Sequence, residues 1–526
     1  MMVRATTQKM SRFKFNDAAV ILHGSDSVAV AKRLLKAGDE LSDGPFPVRL
    51  AQEIRPGHKF ALKPIGDGAR VLKYGQFIGA ARGDIGAGEH VHTHNLALKE
   101  GDRDYRFCEE ASPVNYVNAE AMRFFPGYAR PGGRVGTRNY VAVISSVNCS
   151  ATVSRYVRDR FDPEDLKRDF PNVDGVIAFT HKAGCATDPG PPQEILQRVL
   201  AGMARHPNIS GYLMIGLGCE LNQVSAIRQN YQLDRCQPGE VAPVFMNIQG
   251  AGGSRKTVEA AVPIVAKLLA AANDLRRAPQ PLSKLVLAEN CGGSDGNSGI
   301  TANPALGVAS DLLVRFGGAS VLAETPEIYG AEHLLTRRAV SREVGEKLVE
   351  RVRWWEEHAR RHNSSIDNNP SFGNKEGGLS NIYEKSLGAV AKGGQSPLAA
   401  VYQYAEPIAS AGFCFMDTPG YDPVSMTGLV AGGCNVGVFT TGRGSVYGCK
   451  PAPCIKVATN TPLFNWMEED MDINAGTILD GSETVEEVGL RIFEKIIAVA
   501  GGEKTKSELA GMGDEEFAPW QLGPTF

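Results

Sequence analysis

None of the ten cysteines in this 526-residue chain stands in a CxxC pair: they are Cys108, Cys149, Cys185, Cys219, Cys236, Cys291, Cys414, Cys434, Cys449 and Cys454. That absence removes support for a zinc ribbon or a thioredoxin-like motif, and the default for each thiol is a buried, reduced side chain. An excess of charge of either sign is also missing, with 56 Lys and Arg against 59 Asp and Glu and a formal net charge of -3. Nucleic acid is therefore not an expected partner. Long apolar runs are absent as well. Residues 1–16 are polar and basic without the apolar core of a secretory signal, and the greasiest helix candidate, 257–273, carries Lys267 and is too short and amphipathic to span a bilayer. A cytoplasmic protein with no membrane partner is the expectation. No GxxxxGK[ST] segment occurs and no GxGxxG opens a helix after the first α/β strand, so nucleotide binding is not the preferred reading. No internal repeat or low-complexity tract points to a solenoid.

What is present is an ordinary globular composition, 43% hydrophobic and 22% charged, in a chain too long for one compact core. Short apolar runs punctuated by glycine and charge predict a small β-rich domain over residues 16–98, behind a polar tail at 1–15. A charged stretch of little periodicity, 99–126, reads as a linker. Beyond it, apolar strands end in glycine, polar or cysteine residues and lead into amphipathic helices. Val141–Ile144 runs into Ser145-Ser146-Val147-Asn148-Cys149, 175–179 into Thr180-His181-Lys182-Ala183-Gly184-Cys185, and 211–215 into Gly216-Leu217-Gly218-Cys219-Glu220. This rhythm predicts an α/β main region of open, mostly parallel layered sheets, with ligands at the carboxyl ends of the strands. Pro279 to Pro281 divide it into subdomains 127–280 and 281–526. In the second, a strand at 284–288 precedes Glu289-Asn290-Cys291-Gly292-Gly293-Ser294-Asp295. Ser341 can cap a helix carrying Val344, Leu348, Val352 and Trp355 on one face, and Thr484 with Glu487 fits a capping box.

The densest chemistry is His90-Val91-His92-Thr93-His94-Asn95, three of the chain's ten histidines at every second position. In an extended strand these rings share one face, which suggests a metal or an anion; a histidine-rich strand edge is the plain alternative. The polar clusters Asn369 to Gly378 and Thr440 to Gly444 combine glycine with donors suited to a small polar anion, or serve as tight turns. Acid and base candidates are Glu220, Asp295, Glu324, Glu327, His181 and His333, with Lys375 or Arg443 available to hold negative charge. Cys149, Cys185, Cys219 and Cys291 are candidate thiolate ligands on strand ends, equally readable as structural thiols.

Taken together, several motifs carry a resemblance that covers nearly the whole chain. They are Lys73-Tyr74-Gly75 with Ile78-Gly79, the His90 to Asn95 segment, Gly133-Arg134-Val135-Gly136-Thr137-Arg138-Asn139, Gly216-Leu217-Gly218-Cys219-Glu220, Cys291-Gly292-Gly293-Ser294-Asp295, Ser298 to Pro304, Gly373-Asn374-Lys375 and Thr441-Gly442-Arg443-Gly444. The chain resembles the altronate/galactarate dehydratase family, which implies an amino-terminal antifreeze-like (SAF, β-clip-like) domain and a large catalytic region. The resemblance implies loss of water from a small-molecule sugar acid to give a 2-keto-3-deoxy acid, with a divalent metal, Fe2+ or Mn2+, as cofactor. The histidine segment looks similar to that of altronate-type members. On this reading His92 and His94, with His90 and Cys185, are the expected metal ligands. His181 is the first choice for acid or base, with Glu220 and Glu324 as alternatives and Lys375 and Arg443 holding the carboxylate or leaving oxygen. Asn95, Arg138, Asn139, Ser294, Asp295, Asn374 and Gly442 are the expected substrate contacts. Phe372, Ala186 and Gly132 depart from the family pattern, where proline, glycine and aspartate are frequent. Alternatives are galactarate dehydration, a lyase for a sulfonated hydroxy acid, and a non-catalytic sugar-acid sensor. An iron–sulfur dehydratase is disfavoured by the lack of a tight cysteine motif. A homo-oligomer is compatible with the sequence.

Overall fold

The computed structural model describes residues 11–99, 103–235 and 241–526, so Cys236 lies outside the described residues. The expected tail is shorter than its boundary at 15, because Arg12–Lys14 already pairs with Glu40–Ser42. The small domain is built of short strands, among them the antiparallel ladder Ala19–Val20, Val28–Ala31, Lys59–Ala61 and His90–Val91. It has a core of its own around Phe15, Leu41 and Phe60. It also shares a second core with the carboxyl-terminal subdomain, in which Val28, Val71, Ile78 and Val91 pack with Ile328, Leu335, Leu387 and Phe415. Burying apolar surface across this boundary fixes the domain against the main region rather than leaving it on a flexible tether.

The 103–126 stretch, expected as linker, runs over the carboxyl-terminal subdomain, where Cys108 and Glu110 N–H groups donate to the carbonyls of Thr336 and Arg337. The first α/β subdomain is a parallel sheet of β1 (Tyr140–Ser145), β2 (Gly175–Phe179), β3 (Ile209–Gly216) and β4 (Val244–Asn247), in the spatial order β2-β1-β3-β4. Its central strand is buried along its whole length, as a sheet covered by helices on both faces requires. The greasy helix is Ser254–Asn273, with Val258, Ala261, Val265, Leu268 and Ala272 inward at helical spacing. Among the described residues no helix is long and apolar enough to cross a membrane.

The second subdomain is a fully parallel seven-stranded sheet of β5 (Val286–Cys291), β6 (Ala319–Leu322), β7 (Leu398–Tyr402), β8 (Gly412–Met416), β9 (Val436–Thr441), β10 (Cys454–Ala458) and β11 (Ile473–Asn474). The order is β7-β8-β6-β5-β9-β10-β11. One boundary moves with consequence: the strand expected at 284–288 extends through Cys291, so Glu289, Asn290 and Cys291 belong to the buried strand and not to the loop after it. The capping predictions are met. Ser341 accepts from the Val344 N–H at the start of Arg342–Arg361, and Thr484 and Glu487 form the reciprocal box that opens Val485–Ala500.

Candidate functional site

The chain leaves β5 toward β6 on one side and later returns to β9 on the other, so a crevice opens beyond the carboxyl ends of these strands. Cys291 ends β5. Glu324 follows β6 in a left-handed conformation with φ 72 and ψ 70, a strained backbone for a side chain with a Cβ, and Glu327 sits in the short turn Thr325–Ile328. Lys385 comes from the helix Ile382–Ala389 and Lys392 from the turn Val390–Gly393. Their groups meet in the interior. Lys392 Nζ lies 2.8 Å from Cys291 Sγ and 3.5 Å from Glu324 Oε2, while Cys291 Sγ lies 3.4 Å from Glu327 Oε2. Lys385 Nζ donates to Glu327 Oε1 at 2.5 Å and to Asn369 Oδ1 at 2.6 Å. Glu324 Oε1 is buried without a partner.

Such burial sorts the protons. Burial and the charge of Glu327 hold the Glu324 carboxyl well above the usual range, which favours its protonated form. For Glu327, burial is outweighed by Lys385 and Lys392, and the carboxylate stays ionised. Asp422, opening the helix Asp422–Ala431, is raised to about 7 by burial and by Glu327. Burial pushes the Cys291 thiol up to about 12 despite the adjacent ammonium, so the sulfur keeps its proton. Both lysines stay charged, burial being overcome by the thiol and carboxyl groups around them. Two ammonium groups thus face one firmly ionised carboxylate, and the surplus positive charge suits an incoming anion. Cys291, Glu324 and Glu327 offer donor atoms within 4.8 Å of one another, the spacing of a cation site. The two ammoniums already stand where a cation would, so we read the group as acid–base machinery.

The histidine segment is not one strand. Only His90 and Val91 are extended; Asn95 Oδ1 then accepts from the His92 N–H and turns the chain back. The rings nevertheless gather, His90 to His92 at 5.2 Å and His90 to His94 at 5.5 Å between centroids, and His58 joins them from just before the neighbouring strand Lys59–Ala61. His58 Nδ1 meets His90 Nε2 at 3.0 Å. His58 Nε2 donates to the Glu376 carbonyl at 3.0 Å and His92 Nε2 to the Lys375 carbonyl at 2.9 Å. Backbone carbonyls thereby fix both tautomers, and each Nδ1 has a partner, His90 Nε2 for His58 and Thr93 Oγ1 at 3.1 Å for His92. Among the described residues no three of these rings bring their nitrogens within 4.8 Å of one another, so the group is not closed around an ion. Burial first, then neighbouring positive charge, lowers His90 to about 3 and His92 to about 4, so these rings are neutral at pH 7.

One helix connects the two groups. Glu384 accepts from Lys59 Nζ and Lys73 Nζ of the small domain, both at 2.9 Å in full burial, and its chain neighbour Lys385 reaches the crevice. Close backbone contact seals the same boundary: a Cβ at Gly296 would stand 1.9 Å from the Gly57 carbonyl. Gly296→Ala is expected to lower stability by about 1–3 kcal/mol and to reduce bound metal, because backbone faces backbone and no rotamer can yield. Unchanged thermal unfolding and metal content would contradict that packing.

The other expected site residues fall elsewhere. Arg138 is spent on a buried ion pair with Glu508 and on the Val499 and Glu503 carbonyls, and Asn139 on Arg130 and the Asn172 and Ala272 carbonyls. Glu220 closes its own loop by accepting from Ser146, Leu217 and Gly218. His181 lies on the first sheet with Nε2 on the Ser145 carbonyl and its value lowered to about 4 by burial. Cys185 is exposed in the loop after β2. Asp295 knots Ser298, Thr459 and Asn460 beneath the crevice, Ser294 is buried beside it, and Asn374 caps its own short helix. Gly442 and Arg443 N–H groups donate to the Gly293 carbonyl, and the half-exposed Arg443 side chain lies near Glu376. Asn95 holds the histidine turn, and Lys375 contributes its carbonyl to His92. His58, Lys385, Lys392 and Asp422 went unnoticed in the sequence. For His58 a signal existed in its β-run beside Lys59; for the lysines it was a charge in an otherwise apolar helical face.

Three family models match in order: "Altronate/galactarate dehydratase SAF domain" over residues 17–99, "D-galactarate dehydratase/Altronate hydrolase, second domain" over 127–273, and "D-galactarate/Altronate dehydratase, C-terminal" over 282–525. The chain is 35% identical to an altronate dehydratase of Bacillus subtilis (strain 168), across 93% of this chain and 96% of the relative. It is 36% identical to an altronate dehydratase of Escherichia coli (strain K12), across 93% and 96%. A galactarate dehydratase (L-threo-forming) of Escherichia coli (strain K12) is 38% identical across 92% of each chain.

Proposed function

The chain belongs to the altronate/galactarate dehydratase family and is a hydro-lyase; from that premise we propose that it converts altronate to 2-keto-3-deoxygluconate. The observation that carries the reading is the buried crevice cluster, which pairs a protonated carboxyl with a carboxyl poised near neutrality under surplus positive charge. Elimination next to a carboxylate needs those elements: a base for the C2 proton, an acid for the departing C3 hydroxyl, and charge to hold the intermediate anion. Asp422 takes the proton, Glu324 donates to the hydroxyl as the C–O bond breaks, and Lys385 and Lys392 stabilise the anion. The resulting enol ketonises with protonation at C3. His58, His90, His92 and His94 are the residues that would hold a divalent ion, Fe2+ or Mn2+, by drawing their ring nitrogens closer than the present spacing; such an ion would supply Lewis acidity toward the substrate's carboxylate or hydroxyl. The histidine group supports altronate, and the 38% identity to a galactarate dehydratase makes galactarate the second candidate.

The test is an anaerobic assay with Fe2+ or Mn2+ over a panel of aldonates, aldarates and a sulfonated hydroxy acid, comparing kcat/KM. Altronate is expected to lead the panel. A double variant, His58→Ala with His92→Ala, is expected to lose bound metal and turnover by about ten- to hundredfold or more. Preference for an aldarate would overturn the substrate, and full metal and activity in the variant would overturn the ligand set.

A further inference from the structure

Among the described residues only three cysteines are exposed, Cys149, Cys185 and Cys219; the rest are buried or partly so. Free cysteine is ordinarily among the most buried residue types, so three exposed thiols on one rim call for a reason. They lie far apart in sequence, yet the order β2-β1-β3 sets their loops side by side at the carboxyl edge of the first sheet. Cys149 opens the helix Asn148–Arg158 after β1, Cys185 follows β2 and Cys219 follows β3.

The loops are fastened to one another. The Asn148 N–H donates to the Ala183 carbonyl at 2.8 Å and its side chain to the His181 carbonyl at 3.0 Å. Ser146 Oγ donates to Glu220 at 2.8 Å, and Asn222 Nδ2 to the Ser146 carbonyl at 3.0 Å. Two buried polar atoms here have no partner, His181 Nδ1 and Asn222 Oδ1. His181 also lines a cavity of 420 Å³ with Gly184 and Ala186, the chain neighbours of Cys185, although none of the three thiols lines it. Loops fastened to one another, exposed thiols and unsatisfied polar atoms at one sheet edge are the features of a ligand site.

We propose that Cys149, Cys185 and Cys219 ligate an iron–sulfur cluster at this edge. A single tetrahedral ion with metal–sulfur bonds of about 2.3 Å draws its sulfurs to roughly 4 Å of one another. The three thiols are not so close, since among the described residues the only trio within 4.8 Å is Cys291, Glu324 and Glu327. A cluster of iron and sulfide bridges more widely separated thiolates, and the amino end of the Asn148 helix favours its negative charge.

The experiment is anaerobic purification and reconstitution of the full chain with ferrous iron and sulfide, followed by iron and acid-labile sulfide analysis and visible absorption. Iron and sulfide in equal amounts with a broad visible band are expected. Cys149→Ser, Cys185→Ser and Cys219→Ser should each remove most of the band, while Cys108→Ser and Cys414→Ser keep it. Circular dichroism will verify that the serine variants are folded, which their exposure favours. Absence of sulfide, a single bound zinc, or an unchanged band in the three variants would overturn the proposal. A cluster without turnover of any sugar acid would leave it standing and defeat the function.

Discussion

Replacing Glu324 by glutamine is expected to lower kcat by about two to four orders of magnitude, the usual worth of a positioned general acid, while KM changes little. Glutamine keeps the volume and the hydrogen-bonding shape but cannot release a proton to a leaving hydroxyl. The wild-type rate should rise with pH through about 7, because Asp422 must lose its proton before it can accept one from carbon. It should fall at higher pH, where Glu324, held protonated by burial and Glu327, finally ionises. In the glutamine variant the alkaline limb disappears and the acid limb stays. Full activity in Glu324→Gln, or an unaltered alkaline limb, would remove Glu324 from the chemistry.

Glu384→Ala should be the most destabilising single change at the domain boundary, costing roughly 3–5 kcal/mol, because it strands the buried ammonium groups of Lys59 and Lys73 without their counter-charge. Burial alone would raise the Glu384 carboxyl, but the two lysines outweigh it and hold it far below the usual range. A carboxyl depressed in the folded state contributes stability that is present above its unfolded value, near 4.3, and lost as pH falls below it. The wild-type protein should therefore hold its amino-terminal domain progressively less firmly as the pH falls below about 4 toward the depressed Glu384 value, and the variant should show less of that dependence. Replacing all three residues by apolar ones of similar size should recover much of the loss, since it removes the buried charges together. Thermal and denaturant unfolding of the single and triple variants decide the matter; a single variant as stable as wild type would show that the apolar core alone holds the domain.

The fold was legible where one period dominated. β2 coincides with its expected run, and the caps at Ser341 and Thr484 lie where side-chain chemistry placed them. The site was only half legible, because its residues come together by topology. The histidines do converge, though through a turn fixed by Asn95 rather than through strand alternation, and His58 arrives from another strand that no local spacing reveals. Lys385 and Lys392 look like surface charges until burial is known. The lack of a tight cysteine motif counts against an iron–sulfur dehydratase in the sequence, yet three parallel strands deliver one cysteine each to one sheet edge, a juxtaposition that exists only in the folded sheet. Arg138 and Asn139 show the converse: a distinctive motif whose polar atoms are consumed in holding the subdomains together.

The most direct measurement is incubation of the metal-supplied protein with altronate in D2O under anaerobic conditions, followed by product analysis. The expected product is 2-keto-3-deoxygluconate carrying one solvent-derived deuterium at C3, since the enol must take its proton there. Recovery of unchanged altronate, or a product in which no carbon has exchanged with solvent, would contradict it.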